Sequence, residues 1–222
     1  MTISQGPLSV AVSFSSDKGG NVSVDVIPET RSPHKPEPSE QERYLIVSPY
    51  IEQEHLLDLE SLGVENQLLA IALTKLMCLR SDYAIAPYLE TFNWAEIVET
   101  VKVLARERAH EWKETSFFVV AFRSQIPPTT VYAELGALDK AAHAEATASG
   151  GFLKYWFGTP DAVGRNLATC IWRSQEDAKK GGAGPAHREA AGSARSLYSF
   201  WKIDRHRLTI HDDIVSWELS AW

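Results

Sequence analysis

The sequence has little cysteine, no long apolar run and no excess of basic residues. Only two cysteines occur among its 222 residues, Cys78 and Cys170, and they lie too far apart to form a zinc or thiol redox motif. We interpret both as buried, reduced thiols. No apolar stretch approaches the length of a membrane span. The N-terminal residues do not combine a basic segment with an apolar one, as a signal peptide does. We therefore expect a soluble, cytoplasmic protein without a membrane partner.

The charge balance argues against polyanionic partners. The formal net charge is -7 at pH 7 and the isoelectric point is about 5.5. This leaves no surplus of lysine and arginine to neutralise the phosphates of nucleic acids or anionic membranes. The hydrophobic fraction of 44% and the charged fraction of 23% are ordinary for a globular protein. A core can therefore form without disulfides or metals, in one large domain or in a domain of about 100 residues with an extension.

The sequence also lacks a complete catalytic or metal-binding motif. No arrangement of serine, histidine and acid can be assembled from it, and neither H-x-x-x-H nor H-E-x-x-H occurs. The glycines at 181, 182 and 184 follow a helical segment and lack the Lys-Ser/Thr of a phosphate-binding loop. We expect no metal site and no phosphate loop.

The N-terminal part is predicted to form a β-hairpin and a connector. Residues 8–14 and 22–27 alternate apolar and polar residues around a turn at residues 17–20, which indicates a hairpin within residues 1–27. Residues 28–43 are rich in proline and charge and are interpreted as an extended linker. A docking motif around the P-x-x-P of Pro33 and Pro36 is the alternative.

Residues 44–115 are predicted to form a helical extension that packs on the following domain. A short strand is expected at 44–48, an amphipathic helix at 62–80 with Met77 facing inward, and a second helix from 94 to 112. A capping box of Asn93 and Glu96 would open the second helix. Four aromatic residues between the helices are interpreted as core packing or as one wall of a pocket: Tyr83, Tyr88, Phe92 and Trp94.

The stretch from Ser116 to Trp201 is predicted to alternate strand, helix, strand, strand, helix. Strands are expected at 116–123, 152–157 and 166–173, and a further one at 203–210 completes a ferredoxin-like βαββαβ unit of α+β class over residues 116–222. A last strand is expected at 214–219.

Helix boundaries in this unit follow from capping residues and glycines. Thr129 or Thr130 is expected to cap the first helix, and Gly150 and Gly151 to end it. That helix would bury Leu135, Leu138, Ala142 and Ala146 and would expose Glu134, Lys140 and Glu145. Ser174 is expected to cap a short helix, and Pro185 to open an alanine-lined one.

Several polar residues of this domain are candidates for chemistry. His187 lies in the first helical turn after the glycines, where the helix dipole favours a neutral imidazole that can accept a proton. A histidine on the protein surface is the alternative interpretation.

His143 is either a helix histidine whose hydrogen bonds are satisfied within the fold or a second candidate base. Trp172 either packs in the core or lines a pocket. Arg165 and Asn166 begin a strand and are either solvated or part of a site, and His206 and His211 are expected to face solvent.

These residues carry a resemblance to a known family. The segment IWRSQED from Ile171 to Asp177, the following Pro185-Ala186-His187-Arg188, and then Tyr198 and Trp201 resemble the back half of a dimeric α+β barrel domain. The domain is that of the antibiotic-biosynthesis-monooxygenase and stress-responsive barrel families. The resemblance covers residues 116–210. The whole chain also resembles a fungal family that has no assigned activity.

The resemblance implies a sheet that pairs with a second one and a pocket between sheet and helices. The chain would then form a homodimer, or an intrachain pseudo-dimer if the N-terminal half replaces the partner. Relatives of this kind include cofactor-free monooxygenases, haem-degrading enzymes and proteins without catalysis.

Three functions follow as hypotheses. The first is binding and conversion, oxidative or isomerising, of an apolar aromatic small molecule without a cofactor. His187 or His143 would act as the base. The pocket would be lined by Phe118, Phe122, Trp156, Trp172, Arg165, Asn166 and Tyr198. The second is a non-catalytic ligand-binding or oligomer-forming protein, which the absence of a cavity beside Trp172 and His187 would favour. The third is haem binding through His187.

Overall fold

The computed structural model describes residues 43–222. The predicted hairpin of residues 1–27 and the predicted linker of residues 28–43, except Arg43, lie outside the described residues. Among residues 43–222, no helix is both long enough and apolar enough to cross a membrane.

A five-stranded antiparallel sheet forms the centre of the described region. Its strands are β3 (Thr115–Gln125), β4 (Phe152–Phe157), β5 (Arg165–Trp172), β6 (Phe200–Ile210) and β7 (Trp217–Ala221). The strand order is β4-β5-β3-β6-β7. The central strand β3 pairs with β5 and β6, and not with β4, which follows it in the chain. This is the split βαβ order, so the predicted α+β, ferredoxin-like fold is confirmed, with β7 added at one edge.

Three helices cover one face of the sheet: α4 (Tyr132–Ser149), α5 (Gln175–Gly181) and α6 (Pro185–Leu197). Gly150 and Gly151 end α4 with φ values of 85° and 76°, a region that glycine enters without strain. The side chain of Ser174 accepts the N–H of Asp177 and caps α5, as predicted. These connections place the alanine-rich side of α6 next to α4 over the sheet.

The N-terminal extension covers the opposite face. It contains the paired two-residue strands β1 (Tyr44–Leu45) and β2 (Leu57–Asp58), and the helices α1 (Val64–Ala72), α2 (Tyr88–Thr91) and α3 (Trp94–Glu107). The Trp112 indole N–H donates to the Ile210 carbonyl at 3.1 Å, and the Tyr88 and Thr169 hydroxyls lie 2.5 Å apart. The predicted aromatic cluster belongs to this core, because Tyr88, Phe92 and Trp94 are buried there.

Both predicted helices of the extension are too long. α1 ends at Ala72 and continues only as a 3-10 turn to Lys75, so Met77 is 54% exposed instead of facing inward. The side chain of Asn93 accepts the Met77 N–H and donates to the Lys75 carbonyl, which ties the two segments together. Asn93 therefore does not cap α3 as predicted, although its amide contacts Glu96. A positive φ at Ala109 follows the end of α3.

Two further predicted boundaries are wrong. Neither Thr129 nor Thr130 caps α4; the N-cap is Val131, and the Thr130 hydroxyl donates instead to the Leu197 carbonyl on α6. The last strand begins at Trp217 and not at residue 214, because residues 212–214 form a 3-10 turn.

Candidate functional site

A cavity of about 360 Å³ lies between the sheet and helices α4 and α6. This volume falls within the range of ordinary small-molecule sites. Its helical wall is made of small and aliphatic side chains, because both helices present alanines to the sheet. They are Leu135, Leu138, Ala142, Ala146, Ala190, Ala191, Ala194 and Leu197. Short side chains on two facing helices leave space that longer ones would fill.

Aromatic residues of the sheet form the other wall. Trp172 is only 3% exposed and stands edge-to-face with Phe152, at 4.8 Å between ring centroids. Its indole N–H donates to the Cys170 sulfur at 3.2 Å. Burial raises the pKa of the Cys170 thiol to about 11, so this sulfur stays protonated near neutral pH. A Cβ at Gly181 would lie 2.3 Å from the Trp172 ring, which explains the glycine at that position.

A histidine–carboxylate pair stands at the start of α6. The Nδ1 of His187 lies 2.8 Å from a carboxylate oxygen of Glu145, which is on α4. The same carboxylate accepts the backbone N–H groups of Ala186 and His187, so it caps α6 from a neighbouring helix. Gly184 permits this approach, since a Cβ there would lie 2.1 Å from the Glu145 carboxyl carbon. Burial opposes ionisation of Glu145, but these hydrogen bonds lower its pKa overall.

The pair determines what His187 can do chemically. Because an ionised carboxylate only accepts hydrogen bonds, Nδ1 carries the proton that it donates to Glu145. In the neutral ring the second nitrogen, Nε2, is a hydrogen-bond acceptor on a side chain that lines the cavity. This is the arrangement of an oriented general base.

A second polar group of the wall is centred on Asp139. Its carboxylate accepts the hydroxyl of Tyr50 at 2.5 Å and also that of Tyr155. Burial raises the pKa of Asp139, although both hydrogen bonds act against that rise. Burial also raises the pKa of Tyr155 well above its ordinary value. Both tyrosines therefore act as hydroxyl donors, and both carboxylate oxygens of Asp139 are occupied.

A pair of buried histidines is the third polar feature. The Nδ1 atoms of His55 and His143 are 2.8 Å apart, so one ring donates and the other accepts. His143 is 4% exposed and lines the cavity, and its Nε2 is buried without a hydrogen-bond partner. Burial and the neighbouring His55 lower the pKa of His143 to about 3. His143 is therefore neutral at physiological pH and is a poor general base.

Of the seven predicted pocket residues, three line this cavity and four do not. Phe122, Trp172 and Tyr198 line it, as do both candidate bases, His187 and His143. Trp156 lies on the opposite sheet face, edge-on to Phe92 at 5.0 Å, because a β-bulge between Phe152 and Lys154 changes the alternation of β4.

The other three lie elsewhere on the sheet. Phe118 does not line the cavity and packs on Trp222, at 4.8 Å between ring centroids. Arg165 pairs with Asp161 at 2.8 Å in the loop before β5. Asn166 lines a smaller cavity of about 200 Å³. The two cavities share a wall made of Phe122, Leu135, Asp139, Tyr155, Ala168 and Tyr198.

The prediction that His206 faces solvent is wrong. Its ring stacks on Tyr88 at 4.6 Å with an interplanar angle of 8°, and its Nε2 is buried. Burial lowers its pKa. His211 pairs with Glu114 at 2.8 Å and remains one-third exposed. Within residues 43–222, no group of three or more histidine, cysteine or acidic side chains could hold a metal ion.

Sequence reasoning missed the acidic and N-terminal members of the site. Glu145 was expected on the exposed side of its helix, yet it is the partner of His187. Asp139 occurs in the sequence as one more helical acid, and Tyr50 and His55 come from the extension, more than 80 residues away. No local pattern marks them, because their role depends on which elements meet in the fold.

Solved structures that resemble this chain share about two fifths of it. A mutant of SnoaB, a cofactor-independent oxygenase from Streptomyces nogalater, is 16% identical and matches 40% of this chain and 89% of its own, with a TM-score of 0.35. Rv0793 from Mycobacterium tuberculosis is 18% identical and matches 40% of this chain and 91% of its own, with a TM-score of 0.36. The fold assignment rests on the strand order described above.

Sequence comparison covers most of the chain. The model of the PB2B2.08-like family matches residues 46–221. The UPF0643 protein PB2B2.08 of Schizosaccharomyces pombe (strain 972 / ATCC 24843) is 42% identical over 179 residues, which are 76% of this chain and 80% of that protein. The family match begins directly after β1 and contains β2 to β7, α1 to α6 and every residue that lines the cavity. The chain therefore belongs to the PB2B2.08-like family.

Proposed function

We propose that the cavity binds an apolar aromatic small molecule with an acidic hydroxyl, and that His187 removes the hydroxyl proton. The observation that carries the proposal is the His187–Glu145 pair, which holds the imidazole of a cavity-lining histidine in a cavity whose wall is mainly apolar. A base with fixed orientation beside an apolar surface suits a substrate that is largely hydrophobic and has one ionisable group.

The charges around the cavity limit the ligand further. Among residues 43–222, no lysine or arginine lines it, whereas Asp139 does and Glu145 stands directly behind His187. A carboxylate or phosphate ligand would meet negative charge without a cation to compensate it. The ligand is therefore a neutral phenol that ionises only when His187 accepts its proton.

Once the phenol has lost its hydroxyl proton, two reactions of the phenolate can follow without a cofactor. An electron-rich phenolate can isomerise by taking up a proton elsewhere, or it can reduce molecular oxygen. In the oxidation of a dihydroxynaphthalene to a hydroxynaphthoquinone, one ring C–H and one phenolic O–H become two carbonyl groups. One O₂ is consumed and one water is released, so atoms and electrons balance.

Oxygen uptake with dihydroxynaphthalenes tests this activity. We expect the rate to fall by about 10²–10⁴-fold in His187→Ala, the usual contribution of a general base. His211→Ala is a matched control, because His211 also holds a carboxylate at 2.8 Å through Nδ1 but lies outside the cavity. Equal rates in the wild type and His187→Ala would remove His187 from the mechanism.

The same protein preparations distinguish the other hypotheses. Binding of naphthols without turnover would identify a non-catalytic ligand-binding protein. Haem titration addresses the third hypothesis, since a histidine that donates Nδ1–H to a carboxylate offers Nε2 as a metal ligand. A Soret shift that His187→Ala abolishes would support haem binding over phenol chemistry.

We also propose that the extension replaces a second subunit on the sheet. The sheet face away from the cavity is buried by the extension, with Phe117 1% exposed and Val119 and Leu208 fully buried. A second copy of the chain cannot reach that face while the extension covers it. Light scattering should therefore give the mass of one chain, and a dimer that survives dilution would contradict the proposal.

A further inference from the structure

We infer that His143 binds a second polar group of the ligand, so that the cavity selects aromatic compounds with two neutral polar substituents. The inference rests on the proposed function and specifies the substrate class of the same cavity. His143 then contributes to ligand selectivity and does not act as the general base that the sequence suggested.

His143 has an unsatisfied hydrogen-bonding capacity. A buried imidazole nitrogen without a partner is costly, and native proteins rarely leave one without a reason. Within residues 43–222, four side-chain nitrogen or oxygen atoms are buried and unpartnered, and of these only the His143 Nε2 belongs to a residue that lines the cavity.

The imidazole ring of His143 is held in place by its neighbours. Its Nδ1 faces His55, which is not part of the cavity wall, so Nε2 lies on the other side of the imidazole. The ring is held by Phe152, edge-on at 5.1 Å, and by Tyr155 at 5.5 Å, both of which line the cavity. A ring fixed on three sides presents Nε2 without a further loss of side-chain entropy when a ligand binds.

The other buried polar groups of the cavity wall already have hydrogen-bond partners within the protein. The Tyr155 hydroxyl donates to Asp139, the Thr169 hydroxyl contacts Tyr88 and the Val120 carbonyl, and the Trp172 N–H donates to Cys170. A ligand group that enters this part of the cavity therefore finds His143 as its available partner.

The His55–His143 pair also determines which groups fit. If Nδ1–H of His55 donates to Nδ1 of His143, the proton of the His143 ring is on Nε2, which can then donate to a carbonyl oxygen of the ligand. If Nδ1 of His143 is the donor instead, its Nε2 is an acceptor for a ligand hydroxyl. In both cases the ring is neutral, so the second group is a neutral carbonyl or hydroxyl and not a carboxylate.

Matched naphthols provide the test. The affinities of 1-naphthol and of the dihydroxynaphthalene isomers can be measured in the wild type through quenching of tryptophan fluorescence, since Trp172 and Trp201 line the cavity. We expect at least one diol to bind about tenfold more tightly than 1-naphthol, the usual gain from satisfying one buried polar group. In His143→Phe this preference should disappear while 1-naphthol binding is kept.

Two further variants separate selectivity from folding. His143→Phe leaves the buried His55 without its partner, so the double variant His55→Phe/His143→Phe removes both groups and avoids an unpaired one. His143→Gln places an amide near the former Nε2 and should restore part of the preference for the diol.

The outcomes distinguish this inference from the proposed function. Binding of 1-naphthol and all diols with equal affinity, or a preference that survives in both phenylalanine variants, would overturn the role of His143 and leave the proposed function intact. Failure of every naphthol to bind the wild type would overturn both.

Discussion

The two faces of the same sheet differ in what packs against them. Toward the extension, large side chains such as Trp94, Trp112 and Phe117 meet and are almost fully buried. Toward α4 and α6, many of the facing residues are alanines, and a cavity of about 360 Å³ remains. Among residues 43–222, none from the extension lines this cavity, although Tyr50 lines the smaller one. The strands are shared, so the side-chain volume of the opposing helices decides whether a face becomes core or binding site.

The two faces of the sheet also contribute differently to stability and to ligand binding. The extension side supplies tight packing, and it contributes Tyr50 and His55 to the polar groups next to the cavity. The helix side keeps open space and holds the His187–Glu145 pair. We expect substitutions on the first side to affect folding and those on the second to affect ligand binding.

The largest expected effect is on the extension face. Phe117→Ala should reduce the free energy of unfolding by about 3–5 kcal/mol, because it leaves a cavity in a close-packed core. Phe122→Ala, on the same strand but lining the cavity, should cost at least about 1 kcal/mol less, since its surroundings already contain open space. Urea unfolding of both variants measures the difference. Equal losses would show that the two faces are packed alike.

A buried histidine on the cavity face should make stability depend on pH. The pKa of His143 is lowered from 6.5 to about 3 in the fold, mainly by burial. Between these pH values the unfolded chain binds a proton at this site and the folded chain does not, so stability falls as the pH decreases. We expect a loss of up to about 2 kcal/mol between pH 7 and pH 5 in urea unfolding.

The double variant His55→Phe/His143→Phe is the control for this pH dependence. His206, whose pKa is also lowered by burial on the extension face, remains in that variant and contributes to the residual slope. An unchanged slope in the double variant would assign the pH dependence to His206 or other groups instead of to the cavity pair.

The smallest effect concerns the open space itself. Ala194→Leu should fill part of the cavity and weaken naphthol binding by about tenfold or more, while the unfolding free energy changes by less than about 1.5 kcal/mol. Gly192→Ala on the same helix is the matched control, because a Cβ there meets no atom within 4 Å. An unchanged dissociation constant in Ala194→Leu would place the ligand elsewhere.

Much of the fold could be predicted from local patterns. The strand at 152–157, the Ser174 cap and the stop at Gly150 and Gly151 occur as expected, since each depends on residues within a few positions. The orientation of Trp156 could not be predicted, because a β-bulge in β4 shifts which residues share a face. The helix ends near Lys75 and Glu107 were also missed, since hydrogen bonds of Asn93 and a positive φ at Ala109 override the helical pattern.

The residues of the candidate site also differ in whether the sequence alone could identify them. His187 could be selected from the sequence because its position at a helix start, after glycines, is a local property. Its partner Glu145 could not, because 42 residues separate them and only the packing of α6 against α4 brings them within 2.8 Å.

The sequence by itself determined the order of strands and helices along the chain, the alanine-rich side of α6 and the net negative charge. Those features follow from periodicity, capping and composition, which act over a few residues. Only the tertiary structure decided which face of the sheet is filled and which is open. It also decided that burial keeps His143 neutral, with one ring nitrogen paired to His55 and the other without a partner. The physical reason is that burial and hydrogen-bond pairing depend on contacts between distant segments, which no local pattern encodes.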